Sequence, residues 1–176
     1  MSQILLVGCG KMGTALVDGW LSGGRDPDSI TIIEPQLPLP APLSSRGVKA
    51  LASDRDLPGT FAPSIVLFAV KPQVMDYVVP PYVRFKESAV YMSIAAGRTM
   101  AFFKECLGVD ASIVRVMPNT PAAIGRGIAG GLASNNVKRH QLDLAESLMQ
   151  TAGEFHWLTS EEQIDAVTAV SGSGPA

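Results

Sequence analysis

The chain has 176 residues, of which 47% are apolar and 17% charged, and its 14 basic and 16 acidic side chains give a formal charge of −2. This composition is typical of a globular protein, excludes a disordered one, and offers no basic excess for binding a nucleic acid. Because its apolar runs are too short to cross a bilayer and its two cysteines suit neither a disulfide framework nor a metal site, we expect a cytoplasmic protein with no membrane attachment and no metal.

Two short strands flanking a helix are predicted for the first third of the chain. Ile4–Val7 and Ser29–Glu34 are apolar or β-branched runs of the kind that form buried strands, and Lys11–Ser22 between them carries the apolar face of a helix. The segment 35–42 contains four prolines, which predicts an extended loop rather than a helix or a central strand. A short helix is predicted around Leu43–Arg46.

The string G-C-G-K-M-G at residues 8–13, called here the glycine turn, follows the first strand and opens the first helix. This spacing in this context is typical of a turn that binds a dinucleotide. Gly8 allows the tight bend, Gly10 lets a pyrophosphate approach the backbone, and Gly13 lets the helix pack closely on the strand. Free N–H groups at the helix N-terminus attract phosphates, and a glycine-rich turn without a ligand is the alternative. The residues predicted to contact the cofactor here are Val7, Gly8, Cys9, Gly10, Lys11, Met12 and Gly13.

Cys9 within the glycine turn and Glu34 at the end of the second strand are two candidates for contact with the cofactor. The helix N-terminus can lower the pKa of the Cys9 thiol, but we expect Cys9 to serve as a small residue that faces the cofactor. Glu34 ends the second strand, where a carboxylate accepts hydrogen bonds from ribose hydroxyls and repels a 2′-phosphate, so this residue alone favours NAD. Because Pro35 follows, Glu34 could instead point away as a solvated strand end, and Arg46 or Lys49 could then meet a 2′-phosphate. The sequence therefore predicts NAD(H) or NADP(H).

The rest of the chain continues the alternation of strand and helix. Strands are predicted over Ser64–Val70, Ser88–Ile94, Ser112–Val116 and, more weakly, Gly127–Ser134. Helices are predicted from Pro72 to Pro80, from Thr99 to Gly108, and over 137–152. This alternation predicts parallel βαβ units, and we expect a Rossmann-like, doubly wound α/β domain whose mostly parallel sheet has helices on both faces.

Three loops at the carboxyl ends of predicted strands carry further candidate residues, because ligands of open parallel sheets bind at that edge. In the first loop Lys71 can pair with a phosphate, or it is a surface lysine. In the second, the small residues before Gly97 leave room for a flat ring, or they form only a tight strand–helix turn. In the third, the polar residues between two prolines lie near the expected nicotinamide, or they form a capping turn. The candidates are Ala69, Val70, Lys71 and Pro72, then Ile94, Ala95 and Ala96, and then Asn119 and Thr120.

The end of the chain is predicted to begin a new unit. The string T-S-E-E at 159–162 has the spacing of a capping box and starts a helix with an apolar face. The string S-G-S-G-P-A at 171–176 resembles the start of another helix, at which the sequence stops. We therefore expect a nucleotide-binding domain over 1–158, followed over 159–176 by a helix and the start of a further domain, with a polar tail as the alternative.

Five strings occur together in order, namely V-G-C-G-K-M-G, A-V-K-P-Q, S-I-A-A-G, R-V-M-P-N-T-P and A-V-S-G-S-G-P-A. Together they closely resemble the pyrroline-5-carboxylate reductases, and the resemblance covers the whole chain. It implies reduction of L-1-pyrroline-5-carboxylate, a small imine, to L-proline with NADH or NADPH, which is the last step of proline biosynthesis. It also implies an all-helical second domain that forms a homodimer or larger homo-oligomer and completes the substrate pocket.

The resemblance also assigns residues to the parts of this site. It implies that the glycine turn holds the pyrophosphate and that the loops after residues 68 and 93 line the ribose and nicotinamide. Many members of that family carry Asn, Ser or Arg after the second strand and prefer NADPH, whereas this chain has Glu34, Pro35 and Gln36 there. The resemblance assigns no proton donor within this chain. A dinucleotide-binding module without turnover and another imine or hydroxyacid reductase stay as alternatives. On the substrate side the resemblance places Asn119, Thr120, Ser171, Gly172, Ser173, Gly174 and Pro175.

Overall fold

The computed structural model describes residues 2–39, 41, 43–119, 121–122 and 125–172, with backbone alone for 170–172. Eight strands within these residues form one sheet. They are β1 (Ile4–Val7), β2 (Ile30–Ile33), β3 (Lys49–Leu51), β4 (Ile65–Phe68), β5 (Val90–Ser93), β6 (Ile113–Met117), β7 (Gly127–Ala133) and β8 (Gly153–Trp157). Their order is β3-β2-β1-β4-β5-β6-β7-β8, so the chain winds outward in both directions from β1 and β4.

Five α-helices in the same residues connect or follow these strands. They are α1 (Lys11–Ser22), α2 (Met75–Val78), α3 (Met100–Leu107), α4 (Arg139–Gln150) and α5 (Glu161–Gly172). Shorter 3₁₀ turns cover Pro27–Ser29, Leu43–Ser45, Asp54–Asp56, Pro72–Val74 and Pro80–Phe85. The predicted bounds of α1 agree with the structure, and α3 has the expected cap, since the Thr99 hydroxyl accepts a hydrogen bond from the N–H of Phe102.

The inner strands are buried on both faces, which is why their sequences are apolar throughout. Alternate side chains of β1 enter two different cores: Ile4 and Leu6 pack with α1 and α4, whereas Leu5 and Val7 pack with α3 and Phe85. Helices therefore cover both faces of a mostly parallel sheet, and the predicted doubly wound fold is confirmed.

The far edge of the sheet departs from the parallel pattern. β7 pairs antiparallel with β6, and β8 then pairs parallel with β7. A glycine is required where β8 begins, because Gly153 has φ +137° and an added Cβ would lie 2.0 Å from the carbonyl oxygen of Gly127. This close approach sets the register of the edge strand.

Several local predictions were wrong. No continuous helix follows Pro72; a 3₁₀ turn, the single turn of α2 and another 3₁₀ segment occupy that stretch, because the prolines at 80 and 81 begin a tighter turn. Strand β3 was missed, since three residues carry too little pattern. The capping partner of Thr159 is Gln163, whose side-chain oxygen accepts the Thr159 N–H at 2.8 Å.

The expected helix start at 171–176 stays a prediction. Helix α5 includes Ser171 and Gly172, the first two residues of that string. Residues 173–176 lie outside the described part of the chain. The proposed boundary between residues 158 and 159 stays a prediction.

Candidate cofactor-binding site

The glycine turn leaves an open, polar surface at the carboxyl end of β1. Gly8 has φ +89°, and an added Cβ there would lie 2.6 Å from a methyl group of Val70. Gly13 lies against the turn itself, since its added Cβ would be 2.7 Å from the carbonyl oxygen of Gly8. By contrast, no heavy atom lies within 4 Å of a Cβ added to Gly10, so this face is free for a ligand.

The N-terminus of α1 is uncapped at this surface. Gly10 is its N-cap residue and supplies no side-chain hydrogen bond, and the first helical bond runs from the Thr14 N–H to the Gly10 carbonyl. The N–H groups of the first turn therefore have no partner within the helix and carry the positive end of its dipole. Such a turn can bind the paired phosphates of a dinucleotide.

Glu34 points toward the glycine turn. One carboxylate oxygen accepts the N–H of Cys9 at 2.8 Å, and the other accepts the N–H of Gln36 at 3.0 Å. The side chain is thereby fixed beside the turn, at the position where an acidic residue meets the adenosine ribose in dinucleotide-binding folds. The alternative that Pro35 directs Glu34 away from the turn is wrong.

A cleft of about 620 Å³, called here the cofactor cleft, opens beside Glu34. It is lined by the ends of β1, β2 and β4, by the segment after β3, and by the segment that follows Lys71. Val74, Tyr77 and Val78 give it an apolar wall on which a base can stack. The cleft therefore has the shape and chemistry for the adenosine half of a dinucleotide.

The Cys9 side chain does not face this cleft. It is 5% exposed and lies in the core beneath α1, with its sulfur 3.6 Å from the hydroxyl oxygen of Thr14. Burial raises the pKa of the Cys9 thiol, and the negative charge of Glu34 acts in the same direction. The expectations of a lowered pKa and of a residue that faces the cofactor were wrong for the Cys9 side chain, because the turn directs the thiol inward. The backbone N–H of Cys9 donates to Glu34.

The remaining predicted cofactor residues lie near the turn to different extents. Val7, Ala69, Val70 and Lys71 line the cleft, whereas Lys11 is exposed and Met12 packs partly on the core. Pro72 begins the 3₁₀ turn that follows the cleft lining.

The loop after β5 lies next to the end of β4. The N–H of Ile94 bonds to the carbonyl of Phe68 at 3.2 Å, and the N–H of Ala95 bonds to the hydroxyl of Ser93. Ala96 is exposed beyond them. These residues lie outside the cofactor cleft, on the side of β4 away from β1.

Asn119 has a structural partner. Its side-chain oxygen accepts the N–H of Ile128 at 2.9 Å, which ties the loop after β6 to the start of β7. This bond joins the loop to a strand and is not the local capping turn that was the alternative for Asn119. Thr120, Ser173, Gly174 and Pro175 lie outside the described residues, and for Ser171 and Gly172 the backbone alone is described.

Sequence reasoning missed Arg98, which supports the wall of the cleft. Its guanidinium donates to the carbonyl of Pro72 at 2.6 and 3.0 Å, forms an ion pair with Asp76, and lies 4.5 Å from the ring centre of Phe102. No local motif marks this residue, because its polar partners lie more than twenty positions earlier in the chain.

Arg115 was also missed as an individual residue. It is 4% exposed in the middle of β6 and forms an ion pair with Glu161 of α5. The same carboxylate oxygen accepts the N–H of Met100 at 2.8 Å, so Glu161 joins β6 to the starts of α3 and α5.

Comparison with known proteins finds one matching family model and several similar reductases. Residues 3–97 match the family model described as "NADP oxidoreductase coenzyme F420-dependent". Pyrroline-5-carboxylate reductase of Haemophilus influenzae is 35% identical over 175 residues, which cover 98% of this chain and 64% of that protein. The corresponding protein of Pseudomonas aeruginosa is 34% identical over 99% of this chain and 64% of its own length.

Solved structures agree with these relatives. A pyrroline-5-carboxylate reductase from Coxiella burnetii has a TM-score of 0.89 and 33% identity, with 99% of this chain and 65% of that one covered. The Plasmodium falciparum pyrroline carboxylate reductase with NADP bound has a TM-score of 0.85, 25% identity, and coverage of 99% and 63%. This chain thus spans just under two thirds of the length of these relatives.

Among its described helices, none has the length and apolarity needed to span a membrane.

Proposed function

The chain belongs to the family described as NADP oxidoreductase, coenzyme F420-dependent, and we propose that the protein acts within it as a pyrroline-5-carboxylate reductase. The observation that carries the proposal is the 35% identity to a reductase of that name along nearly the whole of this chain. The glycine turn supports it, because a reductase of this kind needs a site for a nicotinamide dinucleotide at this point of the fold.

In the proposed complex the chain's own residues bind and orient the cofactor. The glycine turn holds the pyrophosphate through the N–H groups of α1, and the cofactor cleft holds the adenosine. Lys71 offers a cation among the residues that line the cleft. The family resemblance assigns the loop from Ile94 to Ala96 to the nicotinamide ribose. When bound, the nicotinamide supplies a hydride to the imine carbon of the substrate, and the imine nitrogen of the substrate carries the added proton. The contribution of the protein is to hold the two reactants together and to exclude water.

The substrate side involves residues beyond the cleft. We place the imine near Asn119, Thr120 and the segment 171–175, as the resemblance implies. The relatives are longer than this chain, which supports a second domain after the nucleotide-binding domain of residues 1–158, and we propose that it completes the pocket and forms a homo-oligomer. A cytoplasmic location is proposed from the biosynthetic reaction of the relatives.

The activity is tested with the protein as its gene encodes it. The protein is mixed with pyrroline-5-carboxylate and NADH or NADPH, and both cofactor oxidation and proline formation are followed. A cyclic imine without a carboxylate and a 2-hydroxyacid with the oxidised cofactor serve as comparison substrates. Proline formation at a rate well above both comparisons is expected. Cofactor binding without proline would refute the reductase assignment and favour a binding module.

A glycine substitution tests the position of the cofactor. Gly10→Val adds a side chain into open space, so the fold is expected to persist while cofactor affinity falls by about a hundredfold or more. Gly59→Val is the matched control, because Gly59 also has open surroundings but lies outside the cleft lining. Unchanged binding by the Gly10 variant would show that the dinucleotide binds elsewhere.

A further inference from the structure

The Glu34 carboxylate lies where it can affect which dinucleotide, NADH or NADPH, binds in the cleft. We propose that Glu34 makes this protein prefer NADH over NADPH by accepting the hydroxyls of the adenosine ribose and opposing a 2′-phosphate. The proposal rests on the proposed function, because it concerns the cofactor site of that reductase.

The orientation of the Glu34 carboxylate is fixed by the backbone. One of its oxygens accepts the N–H of Cys9 in the glycine turn, and the other accepts the N–H of Gln36 in the loop after β2. A carboxylate can accept about four hydrogen bonds, so about two lone-pair positions stay free for a pair of hydroxyls. The negative charge of the carboxylate is thereby held beside the glycine turn.

The charges around the cleft offer a 2′-phosphate little compensation. Among the described residues that line it, Glu34 and Asp54 are acidic and Lys71 is basic. Lys71 follows β4, whereas Glu34 follows β2, with β1 and the glycine turn between them. The cation therefore lies on the pyrophosphate side of the cleft and the carboxylates lie on the ribose side.

The two downstream cations suggested by the sequence do not line the cleft. Arg46 forms an ion pair with Asp18 of α1, with 3.3 Å between nitrogen and oxygen. Lys49 is exposed at the start of β3, at the amino end of the strand, whereas the cleft opens at the carboxyl end. A 2′-phosphate placed against Glu34 would thus meet a fixed like charge and neither of these cations.

The N–H of Cys9 strengthens this argument. In a site that accepts a 2′-phosphate, free backbone N–H groups near the ribose can bind the phosphate oxygens. Here the Cys9 N–H already donates to Glu34 at 2.8 Å, so binding of a phosphate would first have to break that bond. Glu34 therefore attracts the two ribose hydroxyls of NADH through hydrogen bonds and repels the 2′-phosphate of NADPH through its charge, and both effects favour NADH.

The proposal is tested by equilibrium titration of the protein as its gene encodes it, using NADH, NADPH, ADP-ribose and 2′-phospho-ADP-ribose. We expect the unmodified protein to bind each phosphate-free ligand about tenfold or more tightly than its phosphorylated counterpart. The ADP-ribose pair isolates the adenosine half from the nicotinamide and needs no variant. Equal or tighter binding of the 2′-phosphorylated ligands would overturn the inference while leaving the reductase assignment intact.

Two variants assign the preference to Glu34. Glu34→Gln removes the charge but keeps an acceptor, and it is expected to narrow the NADH to NADPH affinity ratio by about fivefold or more. Glu87→Gln is the matched control, because Glu87 lies before the amino end of β5, whereas the cleft opens at the carboxyl ends of the strands, and its loss changes the net charge equally. An unchanged ratio in the Glu34 variant would overturn the proposal. Failure of every ligand to bind the unmodified protein would instead refute the proposed function, and the inference with it.

Discussion

The ion pair between Arg115 and Glu161 holds the start of α5 on the sheet, and the two partners are unequally exposed. Arg115 is 4% exposed, whereas the Glu161 side chain is 37% exposed and also accepts the N–H of Met100. Glu161→Ala would leave a buried guanidinium without its counter-charge and a backbone donor without its acceptor. Arg115→Met would leave a carboxylate that water can still reach. The two substitutions are therefore expected to differ in cost.

The magnitude follows from these exposures. Removing one partner of a fully buried pair costs about 3–5 kcal/mol, and the partial exposure of Glu161 reduces this to about 2–3 kcal/mol for Glu161→Ala. Arg115→Met keeps an apolar stem of similar length in place, and we expect a loss of about 1 kcal/mol. The double variant is expected to cost less than the sum of the two single losses, because the uncompensated charge is absent.

Urea unfolding of the three variants and the unmodified protein measures these losses as changes in midpoint at constant slope. Glu162→Ala is the control: it removes the neighbouring carboxylate from the first turn of the same helix, where Glu162 bonds with Ser160 rather than with a buried charge. Its loss is expected to be smaller than that of Glu161→Ala. A cost for Arg115→Met equal to or above that of Glu161→Ala would refute the reasoning about the buried guanidinium.

Three further predictions concern the edge strand, the thiols and the wall of the cleft. Gly153→Ala is expected to lower the free energy of unfolding by about 3 kcal/mol. The control Gly24→Ala, also at positive φ but in open space, is expected to lower it by about 1 kcal/mol. Equal losses in chemical denaturation would contradict the close approach at the start of β8. At neutral pH a thiol reagent is expected to label the half-buried Cys106 before the buried Cys9, although burial raises both pKa values; mass spectrometry that finds equal rates would refute the inward placement of Cys9. Arg98→Met is expected to weaken NADH binding about fivefold with little change in far-ultraviolet circular dichroism, and unchanged affinity in a titration would show that the cleft wall does not need this anchor.

Much of the central sheet and the glycine turn could be predicted from sequence because their signals are local. An apolar run such as Ile65–Phe68 is buried on both faces wherever helices cover both sides of a sheet, so its composition alone indicates a parallel strand. The spacing of Gly8, Gly10 and Gly13 likewise reflects backbone demands within six consecutive residues. A Cβ would meet neighbouring atoms at Gly8 and Gly13, whereas at Gly10 it would enter the open surface of the turn. The bounds of α1 followed from the same short stretch.

Only the tertiary structure decided where the polar side chains point. The direction of Glu34 depends on the Cys9 N–H, 25 residues earlier, and the role of Arg115 depends on Glu161, 46 residues later. The antiparallel pairing of β7 and the inward turn of the Cys9 thiol have the same origin. The positions of these residues along the sequence do not predict such contacts. A hydrogen bond or an ion pair depends on distances and angles that exist only after the sheet and its helices have packed together.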